Sequence, residues 1–507
     1  MFVRDWMGHR ALSSPHKTAI IDGDTGESLT YRELNDRATR LANHLRHRCG
    51  VRSGDRVAVL AMNRSEILEA FFAVSKLTAI LVPLNYRLTQ SELQYIIEDC
   101  EPSVLLYESE FASTAQSLCE QLSIQNSLSF DGPEENYEQA LAAAGVAAIE
   151  EEFDPEMPAL IIYTSGTTGR PKGALLSHRM LTWNSINTTT EWDIASTDIT
   201  TVHMPLFHTG GFNVLTLPLL HVGGTVVMLR TFEVVKVLEA LEKHRCTLFF
   251  GVPTTFQMML EAPQFEATDL SAMRYFISGG APCPVPLIEE IQKHGIAFTQ
   301  GYGLTEVGPN CFRLGLEDAV RKAGSIGFPT FHSEARIVDE KGHDVVRGEI
   351  GELLLRGGHV CSGYWRNSEA TAAALCDGWF YTGDLARQDK DGYYYIAGRA
   401  KDMIISGGEN IYPAEVEAVL HEHPAISSVA LIGLPDPKWG EQPVAVVIVY
   451  KHSDVSAGEI IEFCSGKLAR YKIPKQVFFV EEFPLLASGK VYKRVLKEEI
   501  EKIVNGK

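Results

Sequence analysis

A chain of 507 residues, 45% hydrophobic and 22% charged, is too long for one ordinary core and too apolar to be disordered, so two or more globular domains are expected. Its 65 acidic and 46 basic residues leave a formal charge of -19, which disfavours non-specific binding to nucleic acid or anionic membrane but leaves room for a local basic pocket. The nine cysteines are scattered without a Cys-x-x-Cys pair, which excludes a zinc ribbon or dithiol site and suits a reducing cytosol. Met1 to Ala11 carries no apolar run resembling a secretory signal. Apolar runs such as Val444 to Tyr450 are strand-length, well short of the ~20 residues of a spanning helix. Val504 to Lys507 is not a peroxisomal address. The expectation is a cytoplasmic protein with no integral membrane association.

From about Thr30, short β-branched runs alternate with amphipathic helical patterns. Arg56 to Met62 reads as a buried strand and Ser65 to Leu77 as the helix after it. Ala159 to Tyr163, Gly224 to Leu229, Cys246 to Phe250 and Arg274 to Ile277 read as further strands, with a helix over Val234 to His244. This alternation predicts an α/β fold of parallel sheets covered by helices. Glu108 to Met157 carries no clear pattern. Near Gly398 the texture becomes charged and Gly-rich, and a smaller unit follows. It has strands at Ser428 to Gly433, Val444 to Tyr450 and Gln476 to Glu481. Ser456 and Glu459 form a capping-box pair ahead of a helix running to about Leu468. The expected division is a large N-terminal domain, 1–398, a hinge at 399–402 and a small C-terminal domain, 403–507.

The first chemical signal is Tyr163-Thr-Ser-Gly-Thr-Thr-Gly-Arg-Pro-Lys-Gly173, directly after an apolar strand. Its glycines let backbone amides approach a polyanion, the hydroxyls of Thr164, Ser165, Thr167 and Thr168 add donors, and Lys172 supplies a cation. A Walker A loop requires Gly-Lys-Ser/Thr, whereas Pro171 precedes Lys172 and Gly173 follows it. This tract resembles the phosphate loop of the adenylate-forming superfamily, which includes acyl-CoA synthetases, firefly luciferases and the adenylation domains of peptide synthetases. Its companion motifs recur in the expected order to the C-terminus.

The resemblance implies an AMP-forming ligase that activates a carboxylic acid with ATP and passes the acyl group to coenzyme A. It assigns Thr164, Ser165, Gly166, Thr167, Thr168, Gly169 and Lys172 to the triphosphate, and Gly279, Gly280 and Ala281 to one adenine wall. Gln300, Gly301, Tyr302 and Gly303 supply the other wall, with Tyr302 as the stacking ring, while Thr305 meets the α-phosphate and Glu306 offers a hard oxygen ligand to magnesium. Asp384 and Arg399 resemble the ribose-binding pair. Lys490, in Ala487-Ser-Gly-Lys490, resembles the catalytic lysine that relieves repulsion between carboxylate and phosphate. His208 resembles the gate of the acyl site, with a satisfied buried histidine as the equal alternative. Lys401 takes the hinge position, about which a mobile α+β C-terminal domain would swing between the two half-reactions. Gly407, Gly408 and Trp439 would line a pantetheine tunnel, and Lys467, Arg470, Lys472 and Lys475 form a basic cluster suited to the coenzyme's phosphates.

The candidate acyl-pocket segments, Phe207 to Phe212, Thr254 to Phe256 and Val307 to Asn310, are largely apolar and aromatic. A medium- or long-chain fatty acid is the first expectation. Benzoate-, coumarate- or succinylbenzoate-type aryl acids are the alternative, as is an enzyme that loads a carrier protein. A non-catalytic adenylate-binding protein would be expected to lack Lys490, Glu306 or Asp384, and all three are present. The implied partners are the acid, ATP and coenzyme A, without nucleic acid. A homodimer is compatible with the sequence, though no segment demonstrates one.

Overall fold

The computed structural model describes residues 5–132, 136–164, 171–281, 283–451, 453–485, 491–504 and 506. Among these, the alternating pattern resolves into two large, mostly parallel sheets. The six-stranded sheet runs Asn126–Ser129, Val104–Tyr107, Arg56–Leu60, Ile80–Pro83, Pro158–Thr164 and Lys172–Ser177, with only the last strand antiparallel. The nine-stranded sheet has parallel strands Thr18–Asp22, Thr225–Met228, Ile199–Val202, Leu248–Gly251, Tyr275–Ser278 and Phe298–Leu304, with antiparallel strands at both ends. Helices cover both sheets, so strands such as Ile80–Pro83 and Thr225–Met228 are buried on both faces and read as unbroken apolar or β-branched runs. In such folds ligands collect beyond the carboxyl ends of the strands. The residues after Pro158–Thr164, Leu248–Gly251 and Tyr275–Ser278, and the end of Phe298–Leu304, carry the chemical motifs.

A third sheet departs from the parallel expectation. Ser333–Val338, Gly351–Gly357, Trp379–Gln388, Leu375–Cys376 and Tyr394–Arg399 pair entirely antiparallel. Two of its four connections are short turns, at 377–378 and 389–393, which can join only antiparallel strands because a parallel pair needs a longer crossover. The fourth sheet lies beyond Arg399. Ile404–Ser406, Glu409–Ile411, Ile426–Asp436 and Gly440–Val449 pair antiparallel, and Gln476–Phe479 adds parallel to Gly440–Val449. The Ser456 capping box is present, but its helix is Ala457–Phe463 and stops short of Leu468. The chain turns at Gly466 with φ +76, a conformation a helix cannot contain. The uninterpreted stretch after Glu108 holds helices Ala112–Leu122 and Tyr137–Ala143 around the strand Asn126–Ser129. No helix among the described residues is long and apolar enough to cross a membrane.

Candidate active site

Strands Pro158–Thr164 and Lys172–Ser177 pair so that Thr164 faces Lys172, which brings both ends of the phosphate-loop candidate together. Ser165, Gly166, Thr167, Thr168 and Gly169 lie outside the described residues. The Lys172 ammonium sits 5.5 Å from the ring centre of Tyr364 and forms no ion pair among the described residues. A cation held over an aromatic face remains available to a phosphate.

The segment Cys361 to Trp365 ties this edge to the turn after Phe298–Leu304. Trp365 N donates to Gly173 O (2.7 Å), Leu175 N to Gly363 O (2.9 Å) and Cys361 N to Glu306 O (2.8 Å). Tyr364 Oη then donates to Glu306 Oε1 at 3.0 Å. Glu306 forms no ion pair among the described residues, and its carboxylate is the hard oxygen donor that suits a divalent cation. Tyr364 was invisible to motif reasoning, because its role depends on a contact across 58 positions of chain.

The two adenine-wall candidates belong to adjacent strands, with Ser278 opposite Gln300. Gly279 is buried, whereas Gly280, at φ +80, and Ala281 face solvent. A Cβ on Gly303 would stand 2.2 Å from Gly308 O, so only glycine permits the tight hairpin that presents Tyr302 and Thr305. The Gln300 side-chain oxygen accepts from Cys283 N at 3.3 Å, while its Nε2 has no partner among the described residues.

Antiparallel register places Asp384 directly opposite Arg399, and Arg399 Nε reaches Asp384 Oδ1 at 2.7 Å. Tyr302 Oη donates to Asp384 Oδ2 at 2.5 Å. Burial, together with the Asp384 carboxylate, pushes the Tyr302 phenol well above its ordinary range, so it stays a donor. Asp384 is thereby held between Tyr302 and Arg399, with its carboxylate oriented by both.

His208 caps the helix Thr209–Asn213, with Nδ1 accepting from Gly210 N at 3.0 Å. The Phe250 ring fills the space between this helix and the adenine wall. Its Cε1 lies 3.7 Å from where a Cβ on Gly210 would be, and its Cε2 3.1 Å from one on Gly279. Phe256, expected in the pocket, instead packs against Phe249, Phe276 and Phe298 in the core. The helix Pro253–Glu261 turns it inward, and Phe250 at the strand end takes the pocket-facing place.

Gly407 and Gly408, at φ +62 and +86, form the turn between Ile404–Ser406 and Glu409–Ile411. Gly407 N donates to Trp439 O at 2.7 Å, and the half-exposed Trp439 ring lies over Gly407. Lys401 is exposed in the short turn Ala400–Asp402. Two members of the expected basic cluster are neutralised, Lys467 by Glu422 (2.8 Å) and Lys472 by Glu415 (2.6 Å). Lys490 lies outside the described residues. The described residues nearest to it in the chain are joined, Leu485 pairing with Val491 and Tyr492 N donating to Pro484 O at 2.7 Å.

Residues 8–365 match the family model of the AMP-binding enzyme, and 415–490 match the AMP-binding enzyme C-terminal domain. The chain belongs to the AMP-binding enzyme family. It is 42% identical over 494 residues to a feruloyl-CoA synthase of an Amycolatopsis species, covering 96% of this chain and 97% of that one. It is 41% identical over 497 residues to an indoleacetate–CoA ligase of Aromatoleum aromaticum, covering 97% of each. The crystal structure of ATP-bound MatB from Rhodopseudomonas palustris superposes with a TM-score of 0.92 at 34% identity, over 99% of this chain and 100% of that one. Within the AMP-binding enzymes this chain is an AMP-forming acid–thiol ligase, with ATP and coenzyme A as co-substrates and magnesium as its cofactor. The α/β architecture expected from sequence is the architecture of that family.

Proposed function

We propose that this AMP-binding enzyme activates an aryl-bearing carboxylic acid, rather than the fatty acid first expected, and transfers it to coenzyme A. The observation that carries this reading is Phe250, whose ring stands between Gly210 and Gly279 beside His208. Flat walls of glycine and an aromatic ring suit a planar substrate, because an offset-stacked ring gains contact that a mobile alkyl chain does not. The feruloyl and indoleacetyl ligases among its relatives support the same class.

In the first half-reaction an oxygen of the acid's carboxylate attacks the α-phosphorus, and the bond to pyrophosphate breaks. Lys172 holds the departing phosphates, and Lys490 stabilises charge on the α-phosphoryl oxygens. Magnesium bound at Glu306 would neutralise phosphate charge. Asp384, Arg399 and Tyr302 orient the ribose and adenine, and Thr305 the α-phosphate. Because His208 Nδ1 accepts a hydrogen bond, the neutral ring carries its proton on Nε2, the tautomer that donates to a carboxylate.

In the second half-reaction the coenzyme thiolate attacks the acyl carbon, and AMP leaves with the bridging oxygen. The Gly407–Gly408 turn and Trp439 form the thiol-side wall, brought in by rotation at 399–402 about Lys401. The reaction is assigned to the cytoplasm, in keeping with nine cysteines that are all free.

ATP–pyrophosphate exchange across hydroxycinnamates, benzoates, succinylbenzoate, indole-3-acetate and C8–C16 alkanoates tests the reading. Exchange strongest with the ring-bearing acids is expected. Exchange confined to alkanoates would restore the fatty-acid assignment, and thioester formed only on a carrier protein would exclude free coenzyme A.

A further inference from the structure

The helix Gln90–Cys100 belongs to none of the motifs, yet its last turn reaches the two strands that flank the phosphate-loop candidate. Tyr163, the residue before Thr164, donates its Oη to Asp99 Oδ2 at 2.5 Å. Burial pushes the Tyr163 phenol well above its ordinary range, and the Asp99 carboxylate adds to the rise, so the phenol stays a donor. Asp99 forms no ion pair among the described residues, which leaves this phenol to orient its carboxylate. The Tyr163 ring lies over Gly173, its register partner on the adjacent strand. A Cβ on Gly173 would stand 3.3 Å from Tyr163 Cζ, 3.3 Å from Trp365 Cβ and 2.7 Å from Ile161 Cγ2.

A helix C-terminus leaves carbonyls without partners inside the helix. Here Trp365 Nε1 donates to Asp99 O at 3.0 Å, and Arg56 Nε to Cys100 O at 2.7 Å. Because Trp365 N also donates to Gly173 O, this residue bridges the helix end and the strand Lys172–Ser177. Tyr364, one residue earlier, carries the bond to Glu306 and the ring that faces Lys172. Asp99 therefore reaches the triphosphate side twice. Its side chain acts through Tyr163 on the strand that ends at Thr164, and its carbonyl acts through Trp365 on the strand that begins at Lys172. An apolar ring at 163 could cover Gly173 equally well, but only a hydroxyl bonded to a fixed carboxylate sets the direction of that ring.

We propose that Asp99 is a positioning residue of the adenylation step, holding Tyr163 and Trp365 so that Thr164 and Lys172 meet the triphosphate at a fixed place relative to Tyr364 and Glu306. The proposal rests on the assignment of Lys172 and Glu306 to the triphosphate side. Asp99 should then matter for the β- and γ-phosphates and little for the rest of the nucleotide, because the ribose candidates Asp384 and Arg399 are paired on a different sheet.

Calorimetric titration of Mg-ATP and of AMP into the wild-type protein, Asp99→Ala, Asp99→Asn and Tyr163→Phe tests this without any acid substrate. Asp99→Ala should weaken Mg-ATP roughly tenfold and AMP by less than about twofold, a loss within the reach of one charge-assisted hydrogen bond. Asp99→Asn should recover most of the affinity, since its amide oxygen still accepts from Tyr163 Oη. Tyr163→Phe should match Asp99→Ala, and the double variant should stay within about twofold of either, as two halves of one contact do. Equal weakening of ATP and AMP, Asp99→Asn as poor as Asp99→Ala, or additive losses in the double variant overturn the proposal. If Asp99→Ala folds poorly, Tyr163→Phe decides the matter, and an unchanged ATP-to-AMP affinity ratio in it overturns the positioning role. Lys172→Ala separates the two possible failures. An unchanged ratio there overturns the triphosphate assignment itself, whereas a lowered ratio there beside an unchanged one in Asp99→Ala overturns the role of Asp99 alone.

Discussion

Replacing Gly407 with alanine places a methyl group where the ring of Trp439 now lies. The new Cβ would stand 2.7 Å from Trp439 Cε3 and 3.2 Å from Cζ3, so the ring must retreat by about 1 Å to reach ordinary carbon contact. The backbone at φ +62 adds left-handed strain of about 1–2 kcal/mol. Trp439 is 47% exposed and can swing outward, so the fold should survive with its tunnel wall displaced. A misplacement of about 1 Å at a reacting site costs up to roughly a hundredfold. The expected result is a fall of tenfold to a hundredfold in kcat/KM for coenzyme A, with ATP–pyrophosphate exchange changed by less than about twofold. Gly408→Ala is the control. It carries the same class of strain at φ +86, but no atom lies within 4 Å of its Cβ, so it should lower stability and spare the thiol step. Equal loss of coenzyme A turnover in both variants would refute the steric argument, and exchange falling in step with thioester formation would refute the assignment of this turn to the second half-reaction.

Tyr302→Phe keeps the ring but removes the bond to Asp384, and hydrogen bonds to charged groups contribute about 1.5–3 kcal/mol. ATP kcat/KM in the exchange assay should fall roughly tenfold to a hundredfold with the coenzyme A KM unchanged, and an unaltered ATP dependence counts against the ribose assignment. Lys490→Ala should lower adenylation by a hundredfold or more, on the order of lost oxyanion-type stabilisation, while supplied acyl-adenylate still forms thioester; equal loss of both steps contradicts that division of labour. His203 is held down to about 3 by burial, stacked on Phe249 at 4.8 Å. The native imidazole therefore stays neutral while the unfolded one takes a proton below its ordinary 6.5, and stability falls by up to about 1.4 kcal/mol per pH unit between there and 3. His203→Phe should remove about 2 kcal/mol of the stability difference between pH 7 and pH 5, read from urea midpoints, and parallel slopes would disprove it.

The elements legible in sequence were those whose pattern is local. Ser65–Lys76 and Val234–Lys243 emerged within a residue of expectation because one apolar face recurs at the helical period. The glycines at 303, 407 and 408 were legible because each permits a backbone approach or a left-handed φ that a Cβ would forbid or strain. The antiparallel sheet of 333–399 was not, since strand direction is set by pairing partners and by connection length rather than by the strand's own residues.

The sequence by itself determined the class of chemistry. Hydroxyl, glycine, lysine and carboxylate motifs in a given order suffice for that, because ATP is recognised by short stretches of backbone and adjacent side chains. Only the tertiary structure decided which residues share the site across long separations. It brought Tyr302 to Asp384 and Tyr364 to Glu306, and put Phe250 rather than Phe256 beside His208. The pocket that would receive the acid belongs to this second group. Its walls come from segments far apart in the chain, among them Gly210, Phe250 and Gly279, and no local pattern records how those faces meet.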